Sequence, residues 1–190
     1  ELKNPWTGQT ARYHGQNQYK SRDHSQPLLQ FGRALVHMTL DTDEVYMATR
    51  LAGKKTYFLP FNKGHNEGAG NPPNPHGHKT AYLWEEVFTK ESLASIIQHF
   101  VLLEGKPKDA LSKKTLIFPR YHQLDVVRRL LEHSANHGVG HSYLIQHSAG
   151  SGKSNSITWS AFQLIETYPA ATGLPGAKNT NAPLFDSVIV

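Results

Sequence analysis

The sequence predicts an α/β protein in two parts, and two observations predict it. In the second half an apolar run, a glycine-rich loop, an amphipathic helix and another apolar run follow one another. That order opens a parallel α/β sheet. In the first half, three short β-favouring runs separated by Asp- and Gly-bearing turns read as a meander. At 190 residues, with 38% hydrophobic and 18% charged side chains, the chain is long and apolar enough to bury a core.

Residues 1–33 are polar, rich in Gln, Arg, Lys and His, with one apolar patch at Pro27-Leu28-Leu29-Gln30-Phe31. The meander follows as strands over 34–40, 45–51 and 56–60, divided by Asp41-Thr42-Asp43 and Gly53-Lys54. Residues 62–79 carry too much Asn, Gly and Pro for helix or strand and read as loop. Ser92 is the expected N-cap of a helix through Leu93, Ile96, Ile97, Phe100 and Val101. Trp84 and Phe88, four apart, are expected in the core.

Gly105–Lys114 is polar and lysine-bearing, and it reads as a linker between a domain at 1–104 and a second at 115–190. Beyond it, Leu124, Val127, Leu130 and Leu131 predict a helix over 121–133. A strand is expected at 142–146, a helix over 154–167 through Ile157, Ala161 and Ile165, a loop at 168–184, and a strand at 187–190. There is no internal repeat.

Composition excludes several classes. Without cysteine there is neither a disulfide nor a thiolate metal site. No apolar run approaches 18 residues, so no membrane span is expected. A formal charge of +5 permits a polyanionic partner. The chain opens on Glu1 and ends on an apolar run, and it reads as a piece of something longer.

The chemistry concentrates in His147-Ser148-Ala149-Gly150-Ser151-Gly152-Lys153-Ser154. Apart from His147 at its first position, this satisfies G-x-x-x-x-G-K-[ST]. Gly150 and Gly152 let the backbone curl so that the N–H groups of residues 148–154 face a β-phosphate. Lys153 brings a mobile cation to the β/γ-phosphates, and Ser154 offers a hydroxyl to Mg²⁺. The context, an apolar run entering and a helix leaving, is what separates this loop from a chance glycine turn. About thirty residues upstream, Phe118-Pro119-Arg120-Tyr121-His122-Gln123 resembles the glutamine motif of superfamily 2 helicases. There the amide of Gln123 would read adenine, donating and accepting at once.

The strings ELKNPWTGQTA, QPLLQFGRALVHMTLDTDEVYMATRLAGKKTYFLPFNKG, NPPNPHGHKTAYLWEEV, TLIFPRYHQLDVVRRLL, YLIQHSAGSGKSNSI and FDSVIV resemble the restriction (R) subunit of type I restriction-modification enzymes. The resemblance implies the C-terminal part of a PD-(D/E)xK nuclease domain, then the start of a RecA-like motor domain. It implies ATP and Mg²⁺ as cofactors, double-stranded DNA as substrate, methyltransferase (M) and specificity (S) subunits as partners, and a bacterial or archaeal cytoplasm.

Glu1 and Lys3 then match the E-x-K half of the nuclease motif, two residues apart and so on one side of a strand. Glu1 would hold the nuclease Mg²⁺ and Lys3 would stabilise charge on the phosphorane. For the Q-x-x-x-Y element of such nucleases, Gln16 and Tyr19 are the candidates, though their spacing departs from the pattern; Gln18 lies near and Gln9–Tyr13 has the spacing but comes early. Lys20 and Arg22 would face phosphate. The metal-binding Asp of the family belongs before Glu1 and the acidic box after Val190, so this piece alone is expected to bind triphosphate without hydrolysing it.

Two other functions fit the same strings. One is a DNA translocase whose nuclease-like region only binds DNA or partners; the other is a nucleotide switch without nucleic acid. His65, His76 and His78 share a loop but lack a further ligand at matching spacing. Asp41-Thr42-Asp43-Glu44 is ordinary turn chemistry.

Overall fold

The computed structural model describes all 190 residues, which form two compact units, 1–122 and 123–190. The architecture is mixed α/β, with helices and two small antiparallel sheets. No helix is long and apolar enough to cross a membrane.

In the first unit the meander forms, with shorter strands than the sequence suggests. β1 (His37–Leu40) pairs antiparallel with β2 (Val45–Ala48), His37 opposite Ala48 and Leu40 opposite Val45. β3 (Leu59–Pro60) pairs on the far side of β2, and its proline sits at a sheet edge, where a missing N–H costs no ladder bond. All four residues of β2 are buried, because the strand is covered on both faces. One of these faces packs Tyr46 and Ala48 against Ala11 and Phe58, with Tyr19 and Leu51 at the margin.

Asp41 organises the β1–β2 turn, as its residue type suggests. Its Oδ1 accepts from the N–H of Asp43 (2.8 Å) and of Glu44 (2.9 Å). The other oxygen, Oδ2, accepts from Ala11 N–H at 2.7 Å. One carboxylate thereby joins the hairpin to the π-helical turn Ala11–Gly15, which runs straight into α1 (Gln16–Ser21). Gly15 is required at that junction: a Cβ would lie 2.9 Å from Thr39 Cβ, so only glycine lets the turn lie flat on β1.

Residues 62–79 form no helix or long strand, in line with their composition. Side chains supply the order that a ladder would otherwise provide. Asn71 accepts from Lys63 N–H (2.8 Å) and donates to Asp43 O (2.8 Å) and Asn62 Oδ1 (2.9 Å), while Asn62 Oδ1 also accepts from Val45 N–H (2.8 Å).

Three expectations are corrected here. α2 spans Lys90–His99 and its N-cap is Thr89, whose hydroxyl accepts from Ser92 N–H; Ser92 already lies inside the helix. Ile96 and Phe100 are buried, but Trp84 and Phe88 are exposed and do not belong to the core. The stretch 105–114 is no linker. It connects β4 (Leu102–Glu104) to β5 (Thr115–Ile117), which pair with each other, Leu102 opposite Ile117. Arg50 fastens this connection, donating to Ser112 O (2.8 Å) and Lys114 O (2.7 Å) with its guanidinium 3.8 Å over the Phe31 ring.

α3 spans Tyr121–His137, one turn longer than the apolar spacing indicates, and ends at Gly138. That glycine takes φ +80° and donates to Ser134 O at 2.9 Å, the left-handed closure that glycine makes at little cost. α4 spans Lys153–Leu164. The loop at 168–184 is pinned to α3 through Ala170 N–H to Ala135 O, to the segment after α3 through Val139 N–H to Pro175 O, and to the residues after α4 through Leu184 N–H to Thr167 O.

The expected strands at 142–146 and 187–190 do not form, and no parallel sheet is present. Strands of a parallel sheet are apolar on both faces and need neighbours and a covering layer on each. Here helices cover one side. Ile145, Val188, Ile189 and Val190 line a cavity of about 330 Å³ with Ile157, Ala161 and Leu164 of α4, while Leu144 stays 94% exposed. Their apolar character is legible, but their pairing is not satisfied within the chain.

Candidate functional site

The phosphate loop takes the backbone form its glycines imply. Gly150 has φ +70° and Gly152 φ +83°, a region that other residues enter only under strain. A Cβ on Gly150 would meet nothing within 4 Å, so this glycine serves conformation, and the space above the loop is left open. Gly152 caps α4 without a side-chain bond, and no acidic residue stands in the first turn. The helix therefore presents its positive end to the loop without a competing anion.

Lys153 is exposed and its ammonium lies 3.4 Å from His147 O and 3.5 Å from Ser148 O, long contacts that hold it over the loop. A polyanion would replace these neutral acceptors with charged ones. Ser154 is exposed on the first turn, with Ser148 and Ala149 exposed and Ser151 buried. A cradle that no Cβ fills, one mobile cation and a neighbouring hydroxyl together suit a triphosphate with its Mg²⁺.

Gln123, the amide that the helicase resemblance assigns to adenine, lies against the phosphate loop. It is only 3% exposed, and its Nε2 donates to Gly152 O at 2.8 Å. The amide expected to face a base thus braces the loop, on the side away from solvent. A Cβ on Gly152 would overlap that amide nitrogen, so the second glycine is demanded by close approach as well as by φ. Sequence reasoning missed this pairing. The only available signal was that Gln123 falls on the apolar face of α3, beside Leu124 and Val127.

At the other end, Leu2 bridges Leu40 in parallel fashion, with Lys3 N–H on Leu40 O (2.8 Å) and Leu40 N–H on Glu1 O (3.0 Å). Glu1 and Lys3 therefore share a side, as their spacing predicts. Lys3 Nζ stands 3.3 Å from Glu1 Oε1, and Arg22 Nη2 stands 3.1 Å from Glu1 Oε2. The amide that reaches Lys3 is Gln18, through its Oε1; Gln16 sits at the start of α1. Tyr19 packs edge-on to His37 at 5.5 Å and beside Phe58 at 6.0 Å. Burial raises its phenol above the ordinary tyrosine range, the Glu1 charge adds to this, and Arg22 opposes it. Tyr19 thus sits at the margin of the core, with the Arg22 guanidinium over its ring at 6.0 Å.

Lys3 also lines an open cavity of about 600 Å³ with Trp6, Asp41, His78, Thr80 and Trp84. Trp6 is 92% exposed and Trp84 48% exposed, so two large rings border this depression. Asp41, though it lines the cavity, spends its carboxylate on the three backbone donors named above. His65, His76 and His78 do not gather, and no three His, Asp or Glu side chains converge on one point. The chain matches no family model, no curated protein and no solved structure.

Proposed function

We propose that this chain is part of the R subunit of a type I restriction-modification enzyme, the end of a PD-(D/E)xK nuclease domain followed by the start of a RecA-like motor domain. Residues 147–154 bind ATP with Mg²⁺, and in the intact complex with M and S subunits the motor translocates double-stranded DNA before cleavage. The observation that carries the reading is the loop itself: two left-handed glycines at the uncapped start of α4, with Lys153 held over them by weak contacts.

Lys153 would bind the β/γ-phosphates, the N–H groups of the loop would take the phosphate oxygens, and Ser154 would hold Mg²⁺, which supplies charge neutralisation when bound. Gln123 would keep Gly152 in register. Lys153→Ala should weaken binding of a fluorescent ATP analogue to this chain at least about tenfold, since it removes a charge-assisted contact. Equal affinity in the variant would dismiss the assignment.

For the nuclease half, Lys3 stands where it could stabilise a phosphorane, beside Glu1. The carboxylate of Glu1 is already engaged by two cations, so the residues present do not by themselves make a cation site. That engagement favours a second reading, a translocase whose nuclease-like region binds DNA without cutting it. Glu1→Ala and Lys3→Ala in the intact complex separate the two. Cleavage lost with ATPase retained supports the nuclease; cleavage retained in both variants supports the second reading.

A further inference from the structure

The positive charge of the chain is not spread evenly. Residues 31–33, 50–55 and 104–114 hold eight of its twenty cations but only two of its fifteen carboxylates. Everything outside them carries twelve cations against thirteen carboxylates, so the whole excess sits in these three stretches. They are distant in sequence, and the fold of the first unit fastens them together.

Arg50 makes the main junction, through its bonds to Ser112 O and Lys114 O and its position over the Phe31 ring. Gly32, beside Arg33, lies against Leu111, and Gly105 lies against Lys114; a Cβ on either would overlap that side chain, at 2.7 and 2.8 Å. A tight turn keeps Lys54 and Lys55 close to Arg50, with Lys55 N–H on Ala52 O at 3.1 Å and Thr56 N–H on Gly53 O at 3.0 Å. Gly53 N–H also donates to His24 Nδ1 at 3.2 Å, and His24 Nε2 donates to Tyr19 O at 2.8 Å. The turn is thereby tied to α1.

Arg33, Lys54, Lys55, Lys106, Lys108 and Lys113 are exposed, and Lys114 is half-buried. None of the cations in the three stretches pairs with a carboxylate, whereas Lys3, Arg22, Lys63 and Lys79 of the same unit all do. Asp109 turns one carboxylate oxygen to Lys106 N–H at 3.0 Å and so closes its own turn. Cations held together without counter-charges repel one another, and a polyanion relieves that repulsion.

We infer that the Lys54–Lys55 turn and the 105–114 connection, with Arg33 beside them, form a surface that binds the phosphate backbone of duplex DNA. The choice of DNA among polyanions rests on the R-subunit reading. Lysine predominates, and the three stretches contain neither Asn nor Gln to read adenine, so the contact is to phosphate and independent of base sequence. The His24 tie places the surface beside α1, whose Gln18 reaches Lys3 and whose C-cap Arg22 reaches Glu1. A duplex held here is gripped away from that pair, by residues that take no part in it.

Fluorescence anisotropy of the full chain with a short labelled duplex, repeated over a range of salt, tests the surface. Affinity should fall linearly with salt on logarithmic axes, each phosphate contact adding about 0.9 to the slope. Lys54→Ala/Lys55→Ala and Lys108→Ala/Lys113→Ala should each reduce the slope by about 1–2 and weaken binding at about 0.1 M salt at least tenfold. Lys79→Ala/Lys178→Ala removes the same charge from cations already paired with Asp43 and Asp186, and should change neither. A duplex of different sequence should bind equally. The substituted side chains are solvent-facing, and a melting curve matching that of the parent establishes that each variant is folded. Equal weakening in the Lys79/Lys178 variant, a slope untouched by both surface variants, or binding to phosphatidylserine vesicles in place of duplex overturns the surface. An ATP analogue bound through Lys153 without duplex binding refutes this surface and leaves the R-subunit reading standing. Duplex bound here without analogue binding does the reverse.

Discussion

Replacing Gly152 by Ala tests a contact that ties the phosphate loop to α3. The residue has φ +83°, and a side chain held in the left-handed region costs roughly 1–2 kcal/mol. The new methyl also overlaps Gln123 Nε2, which must leave Gly152 O, and breaking that buried hydrogen bond costs about 1–3 kcal/mol. The sum is about 2–5 kcal/mol. Gln123→Ala forfeits the bond without the overlap, about 1–3 kcal/mol. In the double variant the bond is lost once and the overlap is gone, so its cost should equal that of Gly152→Ala. The singles should then sum to about 1–3 kcal/mol more than the double.

Urea unfolding followed by tryptophan emission reads this directly. Trp159 of α4 is buried while Trp6 and Trp84 are exposed, so the emission shift reports the second unit. Binding of a fluorescent ATP analogue, measured alongside, should weaken in all three variants, because each loosens the turn that presents the N–H groups of residues 148–154. Strict additivity of the two singles, or a Gly152→Ala cost under about 0.5 kcal/mol, would refute the brace.

Other substitutions probe the first unit. Asp41→Asn keeps the acceptor for Asp43 and Glu44 but turns an N–H₂ toward Ala11 N–H; a loss of about 2 kcal/mol is expected in urea titration, and parent-like stability would remove Asp41 as the anchor of the π-helical turn. Burial, reinforced by His24, holds the His37 imidazole below the ordinary histidine range. The unfolded chain therefore binds the extra proton first: the His37 contribution is complete above about pH 6.5 and is lost progressively as pH falls below that value toward the lower folded one. Thermal melts from pH 7.5 to 5.5 should show the decline, and His37→Leu should flatten it; an unchanged slope would place the acid sensitivity in another group. Arg50→Ala should expose the 105–114 connection to trypsin, with cleavage at Lys108 or Lys113, because both carbonyl anchors are lost; resistance equal to the parent would show that the β4–β5 pairing alone holds it.

Local chemistry was readable residue by residue. Glycines at 150 and 152, alternation at Glu1–Lys3 and a turn-forming Asp41 act over a few residues: the glycines are left-handed, Leu2 bridges Leu40 between Glu1 and Lys3, and Asp41 accepts from its own turn. The helices α3 and α4 followed from apolar spacing for the same reason, with ends displaced where Gly138 and Gly152 took over.

Tertiary structure decided what depends on residues distant in the chain. Apolar runs at 142–146 and 187–190 carry strand propensity, but a strand exists only when a neighbour satisfies its N–H and C=O groups, and none pairs with them here. The polar stretch 105–114 became a hairpin connection because β4 and β5 meet, a fact absent from its own composition. Gln18, and not Gln16, reaches Lys3, a pairing that brings residues 15 apart together and that neither residue's own neighbours indicate. Gln123 braces Gly152, whose carbonyl lies 29 residues away and so is not indicated by the residues around either partner. Period and residue type report what a segment can do next to itself; which partner completes its hydrogen bonds is settled only when the chain folds.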